Sequence, residues 1–231
     1  MLALVATVAS IVVVNLVLSG DNALVIAMAC RHLPLAQQKS AVFWGTLGAI
    51  ALRVALTVCV AYLLKIPLLQ VAGGLVLILI AVKLLKDEPQ ETRDCKAAES
   101  FGEAIRTIIL ADAVMSLDNV LAVAAAARSN IWLLIFGLAL SIPIVIAGSR
   151  FILLLMQKVP SLVNIGAGIL GWTAAEMIME DRHVHSLLQG VPGPAVKLFP
   201  LALAALTILL GQVMARRQEA ANKNRPDKPQ R

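Results

Sequence analysis

Hydrophobic positions along the chain form seven long runs, and short polar segments separate them. About 20 apolar residues are enough for an α-helix to cross the hydrocarbon core of a membrane. The pattern therefore predicts an all-α membrane protein with seven transmembrane helices in a single domain over residues 1–215, followed by a disordered tail over 216–231. The predicted spans cover residues 2–30, 41–64, 67–85, 104–127, 131–156, 161–179 and 196–215.

The composition agrees with a chain that lies mostly in lipid. Hydrophobic residues make up 59% of the sequence and charged residues 15%, whereas soluble domains have about 45–50% and about 25%. With the N-terminus outside, fourteen lysines and arginines fall on the inner side of the predicted topology and four on the outer side. Because positive residues accumulate on the cytoplasmic side, we expect an external N-terminus and a cytoplasmic tail. The net positive charge is then explained by the orientation of the chain in the lipid bilayer, and no nucleic-acid binding is expected.

The polar residues inside the apolar runs show an internal repeat. A shift of 97 residues aligns two stretches of the chain without a gap. Each stretch contains three predicted spans, and an odd number of spans reverses the direction of the second copy. The sequence therefore predicts a 3+3 inverted-topology repeat, about 1–86 and 104–180, plus a C-terminal helix at about 196–215. The shift pairs Asn15 with Asp112, Ser19 with Ser116, Asp21 with Asp118, Asn22 with Asn119 and Arg53 with Arg150.

The two acid–amide pairs of the repeat predict a cation site. An ionisable residue at membrane depth is a functional-site hypothesis by default, and inverted repeats bring equivalent residues together near the midplane. Asp21 and Asp118 are therefore expected to face one another, where they repel unless a cation lies between them. Oxygen ligands favour Mn²⁺, Mg²⁺ or Ca²⁺. The predicted metal ligands are Asp21, Asn22, Asp118, Asn119 and Asp112, with Asn15, Ser19 and Ser116 as an additional shell.

Two arginines, Arg53 and Arg150, also lie inside predicted spans. One interpretation makes them charge partners of Asp21 and Asp118, so that an incoming cation competes with the arginines for the carboxylates. The other interpretation is that they extend towards the membrane surface, as long basic side chains do. The acid–amide pairs have a structural alternative as well, in which Asp and Asn only hydrogen-bond neighbouring helices.

Histidines and cysteines add little to this picture. His183 and His185 form an HxH pattern on a predicted outer loop, which indicates a solvated loop or a weak metal-release site. Cys30, Cys59 and Cys95 lie far apart, and their spacing predicts neither a disulfide framework nor a metal motif.

The repeated motifs lie in the stretches 15–27 (NLVLSGDNALVIA) and 111–120 (ADAVMSLDNV). On these motifs the chain resembles the TerC family of integral membrane proteins, most of all its YjbE-like subgroup, within the LysE-like transporter superfamily. The resemblance covers about residues 1–215 and implies a seven-span bacterial inner-membrane protein that handles divalent metals, chiefly by manganese efflux. It implies Asp21, Asn22, Asp118 and Asn119 as core ligands. Many relatives have an acid where this chain has Asn15, so the charge of its site differs from theirs.

Together, the residues and the resemblance predict a transporter that exports Mn²⁺, with Ca²⁺ or Mg²⁺ as other candidate substrates, by alternating access. Two alternatives stay open: an exporter of a small organic cation or amino acid, and a non-transporting membrane partner in metal loading of secreted enzymes or in tellurium resistance. Enzyme activity is not expected, because no nucleophile–base pair lies at a shared depth. Counter-transport of H⁺ and assembly into a homo-oligomer are compatible with the sequence.

Overall fold

The computed structural model describes residues 20–63, 66–86, 94–126 and 131–223. Within these ranges the regular elements are all α-helices, which confirms the predicted all-α class for this part of the chain. The helices are α1 (Gly20–Cys30), α2 (Leu35–Leu63), α3 (Leu69–Lys86), α4 (Asp94–Ala126), α5 (Ile131–Lys158), α6 (Leu162–Glu180), α7 (Arg182–Leu188) and α8 (Gly193–Lys223).

Four helices in the described ranges are long and apolar enough to cross a membrane. Large apolar side chains on these helices, such as Leu79, Leu198 and Leu209, are exposed on the outside of the bundle. Lipid tails are as apolar as leucine, so such a surface suits a bilayer. Helix α1 is apolar but shorter over its described residues. The four membrane-spanning candidates are Leu35–Thr57, Leu69–Lys86, Leu162–Glu180 and Gly193–Arg217.

Helix α1 lies in the interior of the bundle. It contacts α2, α4, α5 and α6, and its side chains from Val25 to Met28 are buried. A helix that is apolar on all sides, as α1 is after its first turn, is stable only where other elements surround it. The start of α1 carries the polar residues Asp21 and Asn22, so this packing places polar groups between the other helices.

Two glycines allow close packing of α3, α6 and α8. A Cβ atom at Gly74 of α3 would lie 2.7 Å from the backbone oxygen of Ala174 in α6. A Cβ atom at Gly171 of α6 would lie 2.9 Å from the Cα atom of Ala204 in α8. Small residues let helix backbones approach closely in membranes. The three helices therefore form a closely packed group on one side of α1.

Several helices extend beyond the apolar runs that predicted them. Helix α2 begins at Leu35 rather than at 41, and α4 begins at Asp94 rather than at 104. Helix α8 continues to Lys223, so part of the tail that was predicted to be disordered is helical. Hydropathy marks where a helix leaves the lipid, whereas lysine, glutamate and glutamine continue a helix readily in water. An ion pair of 2.5 Å between Lys83 of α3 and Glu103 of α4 joins two of these polar ends.

The predicted outer loop with the two histidines is instead a short helix, α7. Asp181 precedes this helix, and its side chain accepts a hydrogen bond of 3.0 Å from the backbone nitrogen of His183. A capping carboxylate of this kind satisfies a free backbone donor at a helix start. His183 and His185 are exposed on α7, so the expectation of a loop was wrong, whereas the expectation of solvent exposure is confirmed.

Candidate functional site

A cluster of polar side chains is buried where α1, α2 and α4 meet. Arg53 of α2 is 3% exposed, and Asn22 of α1 and Asp112 of α4 are 4% and 8% exposed. Ser116, one turn after Asp112 on the same helix, is fully buried. We call these four residues the polar cluster. Burial of a charged group costs free energy unless the group is paired. The hydrogen bonds and ion pairs within the cluster therefore decide how much this burial costs.

Asp112 is the centre of the polar cluster. Its Oδ1 atom accepts a hydrogen bond of 2.8 Å from Asn22 Nδ2 and lies 2.5 Å from Arg53 Nη2. The Nε of Arg53 donates to Ser116 Oγ over 2.8 Å, and this hydroxyl lies 3.3 Å from Asp112 Oδ2. One carboxylate therefore connects three helices through charge-assisted hydrogen bonds, which are stronger than neutral ones.

The helix geometry explains how these residues meet. Asp112 and Ser116 are four residues apart and share one face of α4. That helix runs along α2, which carries Arg53. Taking an ion pair out of water is expensive, and an apolar pair of similar volume is often as stable. The buried Arg53–Asp112 pair is therefore weak evidence for a stabilising role, which makes it a candidate functional feature.

Asp21 lies beside the polar cluster and is half-buried. Its Oδ1 atom accepts a hydrogen bond of 2.9 Å from the backbone nitrogen of Asn22. Its carboxylate is within electrostatic range of Asp112, which repels it, and of Arg53, which attracts it. With both carboxylates ionised, these three side chains carry a formal charge of −2 + 1 = −1. The region is therefore electrostatically suited to a cation.

A small cavity of about 20 Å³ adjoins the polar cluster. This is space for about one water-sized sphere, and a dehydrated metal ion is of similar size. Two oxygens of residues that line it, Asn22 Oδ1 and Thr46 Oγ1, are buried and have no hydrogen-bond partner in the described part of the chain. Buried polar atoms usually have a protein or water partner, so these two oxygens can accept a hydrogen bond from water or coordinate a cation. The lining residues are Asn22, Val25, Ile26, Thr46, Ala49, Ile50, Arg53, Ile108, Asp112 and Val145.

The sequence analysis did not identify Thr46. The repeat offers no signal for it, because the shift of 97 residues places Pro143 at the equivalent position. Thr46 precedes Arg53 by seven residues, or two helical turns, which puts both on one face of α2. This spacing from a buried arginine is the one feature of the sequence that pointed to Thr46.

The structure brings together four of the predicted site residues and places Asp21 next to them. It gives Arg53 the carboxylate of Asp112 as its ion-pair partner, whereas one of the two interpretations of the sequence made Asp21 and Asp118 the charge partners of the two arginines. Arg150 is exposed, which agrees with the interpretation that this side chain extends towards the membrane surface. A pairing between Arg150 and Asp118 stays a prediction, because the Asp118 side chain lies outside the described part of the chain. In that part no three His, Cys, Asp or Glu side chains gather as metal ligands.

The remaining predicted ligands cannot be compared with the structure. Asn15 and Ser19 lie outside the described residues, and Asp118 and Asn119 belong to α4 but their side chains lie outside the described part. The expectation that Asp21 faces Asp118 therefore stays a prediction.

An all-helical bundle with a lipid-compatible surface and a buried polar cluster is the architecture of an integral membrane protein. The sequence matches the family described as "Integral membrane protein TerC family" over residues 2–219. Because the match spans nearly the whole chain, the chain belongs to the TerC family.

Bacterial membrane proteins are among its relatives. The chain is 45% identical to the uncharacterized membrane protein YjbE of Bacillus subtilis over 86% of this chain and 90% of the relative. It is 30% identical to the uncharacterized membrane protein YceF of the same organism, over 93% and 86%. The inner membrane protein YgdQ of Escherichia coli is 24% identical, over 76% and 81%. No solved structure matches the chain. These relatives agree with a multi-pass protein of the bacterial inner membrane.

Proposed function

We propose that this protein is a transporter that exports divalent metal ions, with Mn²⁺ as the preferred substrate, across the bacterial inner membrane. One observation carries the proposal. A buried carboxylate, Asp112, adjoins an ion-sized cavity in the interior of an integral membrane protein, and two oxygens of its lining residues have no hydrogen-bond partner among the described residues. Ionisable residues in such positions mark ion pathways.

The chemistry of the available ligands favours a hard divalent cation. Carboxylate, amide and hydroxyl oxygens suit Mg²⁺, Ca²⁺ and Mn²⁺. In our proposal the ion binds between the two repeats, and Asn15, Ser19 and Ser116 form an outer shell. No histidine or thiolate belongs to the proposed set, so metals that prefer nitrogen or sulfur are disfavoured. The proposed ligands are Asp21, Asn22, Asp112, Asp118 and Asn119.

Helix packing supports the proposed inverted repeat. A shift of 97 residues maps the bounds of α2 and α3 onto those of α5 and α6 to within four residues. The shift also pairs α1 with α4, α2 with α5 and α3 with α6. Under this pairing the contact between α1 and α5 corresponds to that between α4 and α2, and the contact between α1 and α6 corresponds to that between α4 and α3. All four contacts are present. Two repeats that rock about a shared site are the usual basis of alternating access. Seven spans, an external N-terminus and the wider LysE-like grouping also belong to the proposal, and they rest on the sequence and on the resemblance.

The size of the cavity separates the proposal from transport of an organic substrate. The cavity at the polar cluster has about 20 Å³, which is room for about one water-sized sphere. A metal ion fits this space, and an amino acid does not. We therefore favour the metal over the organic cation.

Flux of Mn²⁺ into proteoliposomes tests the proposal. We expect wild-type protein to transport Mn²⁺, and we expect Asp21→Asn and Asp118→Asn to abolish this flux while both variants still fold and insert. The matched control is Glu103→Gln, which changes an exposed carboxylate outside the site. Absence of flux with the wild type, with and without a pH gradient, would favour the non-transporting partner in metal loading.

A further inference from the structure

We infer that Arg53 is a tethered counter-cation: it neutralises Asp112 while the site holds no metal ion, and a divalent cation displaces it. This inference rests on the proposed transport function and adds a step to it. The guanidinium then acts as an internal substitute for the transported ion.

The first argument is the geometry of the ion pair. Arg53 Nη2 lies 2.5 Å from Asp112 Oδ1, and the Arg53 side chain is almost completely buried. Two cations beside one carboxylate repel one another strongly in a poorly solvated interior. Arg53 and a divalent ion therefore compete for Asp112, and binding of one weakens binding of the other.

The second argument is that ligand oxygens are already in place beside the pair. Asn22 Nδ2 donates to Asp112, while Asn22 Oδ1 and Thr46 Oγ1 have no hydrogen-bond partner in the described part of the chain. Both residues line the cavity, as do Arg53 and Asp112. A cation in this cavity gains two neutral oxygens and the carboxylate once the guanidinium moves away. The structure thus adds Thr46 to the ligand set.

The third argument concerns the empty transporter. After the ion leaves, a bare carboxylate at membrane depth is strongly unfavourable. With Arg53 back on Asp112, the empty site has one uncompensated carboxylate fewer, so the change of orientation of the empty protein costs less. Net transport in one direction requires this return step. Exchange of one Mn²⁺ for another does not, because an ion is bound during every change of orientation.

The test separates net transport from exchange in proteoliposomes loaded with radioactive Mn²⁺. For Arg53→Gln we expect net efflux to fall at least about tenfold, while Mn²⁺–Mn²⁺ exchange stays close to that of the wild type. Arg53→Lys keeps a cation and should restore net efflux. The control is Arg106→Gln, which removes an exposed arginine on α4 and should change neither mode.

Binding gives a second readout that a purely structural arginine would not produce. If Arg53 competes with the metal, its removal should lower the Kd for Mn²⁺ by about tenfold or more, because the competent state is then more populated. Gain of affinity in Arg53→Gln together with loss of net efflux supports the inference. Unchanged net efflux, or weaker Mn²⁺ binding with loss of both transport modes, overturns it while the transporter proposal stands.

Two further outcomes are informative. If the wild type shows neither net flux nor exchange, the transport proposal fails and this inference fails with it. If Arg53→Gln does not fold, Asp112→Asn is compared with the double variant Asp112→Asn/Arg53→Gln. The double variant should bind Mn²⁺ about tenfold more tightly than Asp112→Asn, because it lacks the repelling guanidinium. Equal or weaker binding overturns the inference.

Discussion

Arg53 and Arg150 occupy equivalent positions under the sequence shift of 97 residues, but their surroundings differ. Arg53 is 3% exposed and forms an ion pair with Asp112, whereas Arg150 is exposed. The sequence contains a reason for this difference. The position equivalent to Asp112 in the first repeat is Asn15, so only one of the two arginines has an acid at the corresponding place.

In our proposal the two repeats keep one fold while their sites differ. Helix packing depends on apolar faces and small residues, and both proposed repeats contain them. A buried guanidinium needs a carboxylate, and a long basic side chain without one is better placed where water or lipid headgroups reach it. We therefore expect the exchange of aspartate for asparagine at these two positions to separate the buried arginine from the exposed one. The predictions below test this explanation.

The largest effect is expected from Asp112→Asn. This change leaves the buried Arg53 without its carboxylate, and breaking a buried pair in this way costs about 3–5 kcal/mol. We expect a clear fall in the thermal stability of the detergent-solubilised protein, and loss of Mn²⁺ transport in proteoliposomes. Glu103→Gln on the same helix removes only the exposed ion pair with Lys83, so stability should change by less than about 1 kcal/mol and Mn²⁺ transport should stay unchanged. Wild-type stability of Asp112→Asn would show that the pair contributes nothing to the fold.

The two arginines should differ in their contribution to stability. Arg53→Gln leaves Asp112 buried without its cation, so we expect a loss of about 3–5 kcal/mol. Arg150→Gln changes an exposed residue, and we expect an effect within about 0.5 kcal/mol. Unfolding of both variants in denaturant, followed by circular dichroism, measures the difference. Equal losses would contradict the asymmetry described here.

Asn15→Asp should make the two repeats more alike. It adds a carboxylate at the position equivalent to Asp112, and calcium-site affinity rises with the number of charged ligands. We expect the Kd for Mn²⁺ to fall by about threefold to tenfold, measured by titration of the purified protein. In the Asp112→Asn background the same change should recover part of the lost binding. No recovery would place residue 15 outside the metal site.

The smallest effect is expected from Thr46→Val, which removes one neutral oxygen from the cavity and keeps the shape of the side chain. Loss of one such contact corresponds to about 0.5–1.5 kcal/mol, so Mn²⁺ affinity should fall between about twofold and about tenfold. Thr207→Val is the matched control, because Thr207 Oγ1 donates to the backbone of Leu203 away from the site. Equal effects of the two changes would argue against a ligand role for Thr46.

Much of the fold was predictable because hydropathy and helical periodicity act locally. The apolar runs gave the order of the described helices, and the repeat singled out Asn22, Arg53, Asp112 and Ser116 as site residues. The helix ends were less predictable, because α2, α4 and α8 include polar segments outside the apolar runs. Hydropathy does not distinguish a polar helix end from a polar loop.

Which residues form the site was easier to predict than which acid forms the ion pair with Arg53. Two acids, Asp21 and Asp112, lie within electrostatic range of Arg53, and spacing along the chain does not tell which of them accepts the ion pair. That choice depends on how α2 packs against α4, which is a tertiary property. The sequence analysis missed Thr46 because its one signal, a spacing of seven residues from Arg53, has meaning only once Arg53 is known to be buried.

The central claim is that the polar cluster around Asp112 is part of a divalent metal site. The most direct test is titration of the purified protein with Mn²⁺, with free Mn²⁺ followed by electron paramagnetic resonance. We predict saturable binding to the wild type and to Thr207→Val, and a Kd at least about tenfold higher for Asp112→Asn. Equal Mn²⁺ affinity of the wild type and a folded Asp112→Asn variant would contradict the claim.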